Sequence, residues 1–149
     1  MLVSEILAIK GKVLYTISPS RSVAEAVAIM NEQDVGSLVV FSRGQMIGLL
    51  TFREVLNAVQ AGGAAWESIN VEQAMLKNPL AASPGMEMDE LRRLMVEHHQ
   101  RYLPVMDGGM LLGVAMERWN LHKRFEEQSF ENRMLKNYIR NWPAEEGER

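Results

Sequence analysis

The chain contains no cysteine, which removes disulfides, iron–sulfur clusters and thiolate zinc sites from consideration. No stretch comes near the ~18 consecutive apolar residues that a membrane-spanning helix needs. The opening residues, with Glu5 among them, have neither the basic start nor the long apolar centre of a secretory signal. These absences leave a reducing, cytoplasmic setting as the expectation, with no membrane partner. Positive charge is not in excess either. Sixteen Lys and Arg stand against 19 Asp and Glu, for a net charge of -3, so no face gathers the basic surface of a nucleic-acid binder.

Catalytic signatures are missing as well. There is no Gly-x-Ser-x-Gly elbow, no Walker loop, no Gly-x-Gly-x-x-Gly and no Ser, His and Asp set at triad spacing. The carboxylate pairs Glu126, Glu127 and Glu145, Glu146 lie in hydrophilic surroundings where nothing would raise a pKa. His98 and His99 are neighbours, so on a helix they point to different sides, and His122 stands apart. Neither an enzyme nor a metal site is expected.

What is present is a stretch written twice. Residues 31–59 and 96–124 each read as a helix end, a short apolar run, a glycine-bearing turn, a second apolar run and another helix. Two apolar runs joined through glycine indicate a β-hairpin. Here the runs are 37–41 with 46–50, and 102–106 with 110–115, turning through 42–45 and 107–109. At an offset of 65, Ser18-Pro19 falls on Ser83-Pro84, Glu25 on Glu90, Met30 on Met95, Val40 on Val105, Gly44 on Gly109, Gly48 on Gly113 and Arg53 on Arg118. Glycines and prolines kept at one offset mark an internal duplication. With 149 residues, 47% apolar, the chain is one globular domain made of two half-sized units that share a core.

The same order of elements is predicted in each copy. Residues 3–7 form a helical turn docked on the body, and 13–17 a strand rich in β-branched and aromatic residues. Ser22 with Glu25 three residues on is a capping box ahead of a helix whose apolar face holds Val23, Ala26, Val27 and Met30. Thr51 caps a helix over 52–60, and 61–70 is a linker broken at Gly62-Gly63. The second copy then reads helix 71–76, strand 80–82, helix 86–99, hairpin, and a helix from about 117. Methionines such as Met30, Met46, Met75 and Met95 sit at apolar positions and read as core. The tail places Leu121, Phe125, Leu135, Ile139 and Trp142 near one stripe before Pro143. It is expected as a helix that packs across a homodimer, or else folds back on its own sheet.

The segments "VGSLVV…GQMIGLLTFREV" and "HHQRYLPVMDGGMLLGV" resemble cystathionine β-synthase (CBS) domains, and the pair resembles the tandem CBS module used as a regulatory unit or stand-alone bacterial protein. The resemblance spans residues 1–124. It implies an α+β fold: two β-α-β-β-α repeats packed sheet to sheet about a pseudo-two-fold, with a C-terminal helical extension. The boundaries expected are 1–61, a linker at 62–70, 71–124, and a helix with a frayed tail at 125–149.

The resemblance also implies an adenine nucleotide (AMP, ADP or ATP), or a related adenosyl ligand such as NAD or S-adenosylmethionine, between the copies. The ligand would be regulatory, with no cofactor required and a protein partner that the sequence leaves unnamed. Thr51 takes the phosphate position, Arg53 adds charge, and Glu54 stands where the family has an Asp that holds the ribose. The base would lie against Thr16, Ile17, Ser37 and Leu38, with Arg101 and Tyr102 reaching in from the other copy. In the second copy the matching positions are Met116 and Trp119, so both polar handles are missing and that site is degenerate. Other readings stay open. Thr51 also reads as a plain N-cap, Arg53 and Glu54 as a solvated helix start, and Arg101 as half of a surface ion pair. The whole then reads as a ligand-free dimerisation scaffold.

Overall fold

The computed structural model describes residues 1–10 and 14–119. Residues 1–117 form one compact unit holding both copies; a second unit starts at Arg118, of which Arg118 and Trp119 are described. The predicted helix over 125–149, its dimer contact and the end of the second copy at 124 lie outside the described residues, as does Val13.

In the first copy, strand β1 (Thr16–Ile17) leads to helix α2 (Val23–Gln33), hairpin β2 (Ser37–Ser42) and β3 (Gln45–Thr51), and helix α3 (Phe52–Gly62), with α1 (Val3–Lys10) before them. The capping box forms as the sequence predicts: Ser22 Oγ accepts from the Glu25 N–H at 3.1 Å, and the Ser22 N–H donates to Glu25 Oε1 at 3.0 Å. The β2–β3 turn is tighter than expected. It uses only Arg43 and Gly44, at φ 55° and 75°, the positive angles that match the natural twist of a two-residue hairpin.

The second copy repeats this frame at the same offset. Helix α5 (Met88–His98) matches α2, and hairpin β5 (Tyr102–Asp107) and β6 (Met110–Met116) matches β2 and β3. Ser37 pairs with Thr51 as Tyr102 pairs with Met116, and the register slips once in each hairpin, at Val40/Phe41 and at Val105/Met106. Both helices end on a left-handed residue, Asp34 and His99. A bulge kept at one offset is a copied feature, because a bulge re-aims every side chain after it.

The strand predicted at 80–82 is reduced to a single bridge, Ala82 to Val105. In the first copy the Val39 N–H donates to the Tyr15 carbonyl at 3.1 Å, but the residue matching Val39 is Pro104, which has no N–H. The Gln100 side chain takes over. It accepts from the Leu80 N–H at 3.2 Å and donates to the Leu80 carbonyl at 3.0 Å and the Tyr102 carbonyl at 2.9 Å.

Two further expectations are corrected. The linker at 62–70 is not a flexible break: α3 runs on to Gly62, and Gly63–Ser68 continues as a 3-10 helix. The helix predicted at 71–76 stops early, as α4 (Val71–Ala74). Leu76–Lys77 become strand β4 on the outer edge of β3, where the exposed ladder of β3 needs partners.

The first sheet runs β1-β2-β3-β4 and the second is β5-β6. Alternation gives the first sheet two buried apolar faces. Leu38 and Val40 join Ile17, Leu50, Ala26, Met30 and Val71 on the helix side. Val39 and Leu49 face the other way and meet Val114 of the second copy, flanked by Phe41, Met46, Tyr102 and Leu111. That second cluster is the seam where the two sheets pack.

The short lead-in helices are exchanged between copies. Ahead of the first copy, α1 hydrogen-bonds to the second: Val3 N–H to the Met86 carbonyl at 2.8 Å and Ser4 N–H to the Pro84 carbonyl at 3.0 Å. Ahead of the second copy, α4 does the same to the first, Val71 to Arg21 at 2.8 Å and Glu72 to Pro19 at 3.0 Å.

Candidate functional site at the seam between the repeats

Thr51 ends β3 and caps α3, so the polar end of that helix opens where the first copy meets the second. Its hydroxyl donates to Glu54 Oε1 at 2.5 Å and accepts from the Arg53 N–H at 3.2 Å, while the Thr51 N–H donates to the same Glu54 oxygen at 2.8 Å. Glu54 is 9% exposed. Both residues are therefore engaged with one another as a capping box through Glu54 Oε1, and Glu54 Oε2 accepts no hydrogen bond among the described residues. Arg53 crosses the seam and donates from Nη1 to the His99 carbonyl at 3.1 Å. Its guanidinium thus sits at the negative end of α5, where a cation is favoured.

The expected base platform divides. Ile17 and Leu38 turn their side chains into the helix-side core, at 6% and 0% exposure, so they can offer a ligand only main chain. A base lying against these two residues, as the sequence reading expects, would therefore meet backbone and not their side chains. Thr16 is exposed. Ser37 shares the seam face with Val39, opposite Thr51 in the β2–β3 ladder. It is 9% exposed, and its hydroxyl has no hydrogen-bond partner among the described residues. A buried hydroxyl without a partner costs about 1–3 kcal/mol and calls for a reason.

From the other copy, Tyr102 packs against the seam cluster and brings the tip of its phenol to Gly36, next to Ser37. A Cβ at Gly36 would overlap Tyr102 Oη and stand 3.1 Å from Tyr102 Cζ and 3.2 Å from Phe52 Cε2. Glycine is required there by the closeness of two aromatic rings. Arg101 points elsewhere: it pairs with Glu117 at 3.9 Å, both side chains well exposed, a contact of little energetic weight. Met116 is half-buried in the place matching Thr51, and Trp119 is 2% exposed.

Sequence reasoning missed Gly36 and Phe52. Gly36 was legible as the glycine before the first hairpin, but its purpose depends on a side chain 66 positions later. Among the described residues no cluster of three or more His, Asp or Glu could hold a metal ion, and no helix is long and apolar enough to cross a membrane.

A family model for the CBS domain matches residues 3–61 and 71–118. The chain belongs to the CBS-domain family. The CBS domain-containing protein YhcV of Bacillus subtilis is 29% identical over 100 residues, covering 67% of this chain and 71% of YhcV. A crystal structure of a CBS-domain-containing protein from Agrobacterium tumefaciens superposes with a TM-score of 0.80 at 29% identity, over 83% of this chain and 99% of that one. Two structures with the same fold carry adenosine ligands. CBSX2 in complex with AMP has a TM-score of 0.65 at 23% identity, over 77% of this chain and 90% of that one. The CBS pair of protein MJ0100, with 5'-methylthioadenosine and S-adenosylmethionine, has a TM-score of 0.73 at 20% identity, over 86% and 98%. The CBS repeats here are thus a pair in a mixed α+β fold, packed sheet against sheet.

Proposed function

We propose that this CBS pair is a regulatory module that senses an adenosine-bearing ligand, an adenine nucleotide first among them, at the Thr51 side of the seam. The observation that carries the reading is the Ser37 hydroxyl, buried across the ladder from Thr51 without a hydrogen-bond partner among the described residues. A polar ligand group there removes its cost. The AMP, methylthioadenosine and S-adenosylmethionine in the two related structures share only adenosine, which suits a site that reads base and ribose. Arg53 supplies positive charge, Glu54 Oε2 and Thr16 supply ribose-sized polar contacts, and Arg101 is free to leave a weak surface pair for phosphate. Met116 and Trp119 leave no polar handle at the matching positions, so one ligand binds per chain. Its regulatory effect comes from binding two arrangements of the repeats, or of two chains, with different affinity. A cytoplasmic homodimer that docks a further protein, with no catalytic role of its own, belongs to the same proposal.

One observation favours a ligand-free scaffold instead: Thr51 and Glu54 already satisfy each other. Thermal shifts with AMP, ADP, ATP, NAD and S-adenosylmethionine separate the two. A ligand at ~100 times its Kd stabilises the fold by about 2.7 kcal/mol. Ser37→Ala should leave the unliganded protein as stable or more so, since it removes an unsatisfied group, while diminishing that shift. No shift with any of the five compounds establishes the scaffold.

A further inference from the structure

Helix α5 of the second repeat ends on His99 at φ 52°, in the left-handed region that residues with a side chain seldom adopt. Asp34 ends α2 in the same way at φ 56°. Of these two turns, only the one at His99 accepts a hydrogen bond from the other repeat among the described residues: Arg53 Nη1 donates to the His99 carbonyl at 3.1 Å. The next residue, Gln100, is buried, and its amide fastens the Leu80 N–H and carbonyl at 3.2 and 3.0 Å and the Tyr102 carbonyl at 2.9 Å. Arg53 thus heads a run of contacts that leads from the start of α3 in the first repeat, through the end of α5, to the segment at Leu80 and the start of β5. The first link differs from the rest. Arg53 is exposed and its partner is an uncharged carbonyl, which offers a guanidinium one acceptor where a phosphate offers two in parallel and full charge.

We propose that Arg53 is a latch between the repeats: in the unliganded chain it holds the end of α5, and an anionic group arriving at Thr51 draws it off and loosens Gln100 and the Leu80 segment. This rests on the adenosine reading above and gives that site an output in the second repeat. Thr51 Oγ1 accepts from the Arg53 N–H, so the side chain that reaches His99 starts beside the place expected for phosphate. A ligand's phosphate and the His99 carbonyl compete for one guanidinium. The ligand then binds the latched and unlatched states with different affinity, as a regulatory ligand must. Phosphate is the trigger, and adenosine without it leaves the latch closed. Arg53 acts through His99 on Gln100 and is a positioning residue for the Leu80 segment.

The test is amide exchange read residue by residue on the full chain, for the wild type, Arg53→Ala and Arg53→Lys, each free, with AMP and with adenosine, and with binding followed by calorimetry. The reporter is the Leu80 N–H, held by Gln100, and the reference is the Val71 N–H, held by the Arg21 carbonyl at 2.8 Å in the first repeat. Arg53→Ala should speed exchange at Leu80 about two- to tenfold, the worth of one hydrogen bond, and leave Val71 unchanged. Arg53→Lys, which keeps a charged donor on a long stem, should restore much of the protection. AMP should speed Leu80 in the wild type to the rate of free Arg53→Ala, adenosine should not, and AMP should add nothing in Arg53→Ala. Unchanged exchange at Leu80 in Arg53→Ala overturns the latch. So does AMP that binds without speeding Leu80, or that does so no more than adenosine, and both of these outcomes leave the adenosine reading intact. A wild type that binds neither compound overturns the adenosine reading and the release with it.

Discussion

Pro104 differs from Val39 by one missing hydrogen-bond donor, and the second repeat's first strand dissolves around that loss. Gln100, 8% exposed, makes three hydrogen bonds with its amide to the Leu80 and Tyr102 backbone in its place. The matching residue in the first repeat, Val35, has no such role because Val39 donates for itself. Gln100→Val should therefore cost about 1–3 kcal/mol, the penalty for stranding buried polar backbone. Adding Pro104→Val should recover much of it by returning the first repeat's pattern. Urea denaturation of the two single variants and the double variant measures the coupling; additive losses would contradict the substitution argument. Glu25 offers a pH-dependent counterpart. Its carboxyl is held below the ordinary value by the Ser22 backbone N–H and then by the Arg21 side chain. A group whose folded pKa is lowered stabilises above its unfolded pKa, and that contribution is lost as pH falls through the folded value. Glu25→Gln should flatten part of the acid limb of the stability curve, read from urea titrations taken from neutral pH down through the carboxylate range.

At the scale of elements, the close approach of each lead-in helix to a strand depends on one glycine. A Cβ on Gly48 would overlap Met75 Sδ, and one on Gly113 would stand 2.7 Å from Leu7 Cδ1. Met75 follows α4 and Leu7 lies in α1, so the two contacts are counterparts across the duplication. Gly48→Ala should destabilise by about 1–3 kcal/mol, as overpacking of a filled core does, because its methyl also meets Met75 Cγ at 2.9 Å and the Leu76 carbonyl at 3.0 Å; Gly113→Ala should cost less, since it meets only the tip of the flexible Leu7 side chain. Met75→Ala in the Gly48→Ala background should be milder than the two losses combined, because the smaller side chain admits the new methyl. Strand and helix order, the capping box at Ser22 and the N-cap at Thr51 were legible because each is set by residues close together in the chain. The direction of Ile17 and Leu38 was not. Both faces of β2 are apolar, so alternation alone leaves undecided which face meets the helices and which the other repeat. Helix 71–76 was overread for a related reason: the edge of β3 claims Leu76 and Lys77, and local pattern carries no trace of that edge.

For the molecule as a whole, the exchange of α1 and α4 makes the repeats a single cooperative body. Val3 and Ile6 are fully buried, and α1 lies against the second repeat, bonded to Pro84 and Met86. Deleting residues 1–10 should accordingly loosen the distant second repeat before the first. Amide exchange should rise in β5 and β6 more than in β2 and β3; faster exchange confined to the first repeat would refute the exchanged packing.

The sequence by itself determined the duplication, the two hairpins, the helix caps and the family, because each is written in residues close together or repeated at a constant offset. Only the tertiary structure decided which strand face became seam, why Gly36 is bare, how Gln100 stands in for a backbone donor, and which repeat each lead-in helix covers. Those outcomes depend on groups far apart in the chain that compete for the same space and the same hydrogen bonds, and that competition is resolved only when the two copies pack.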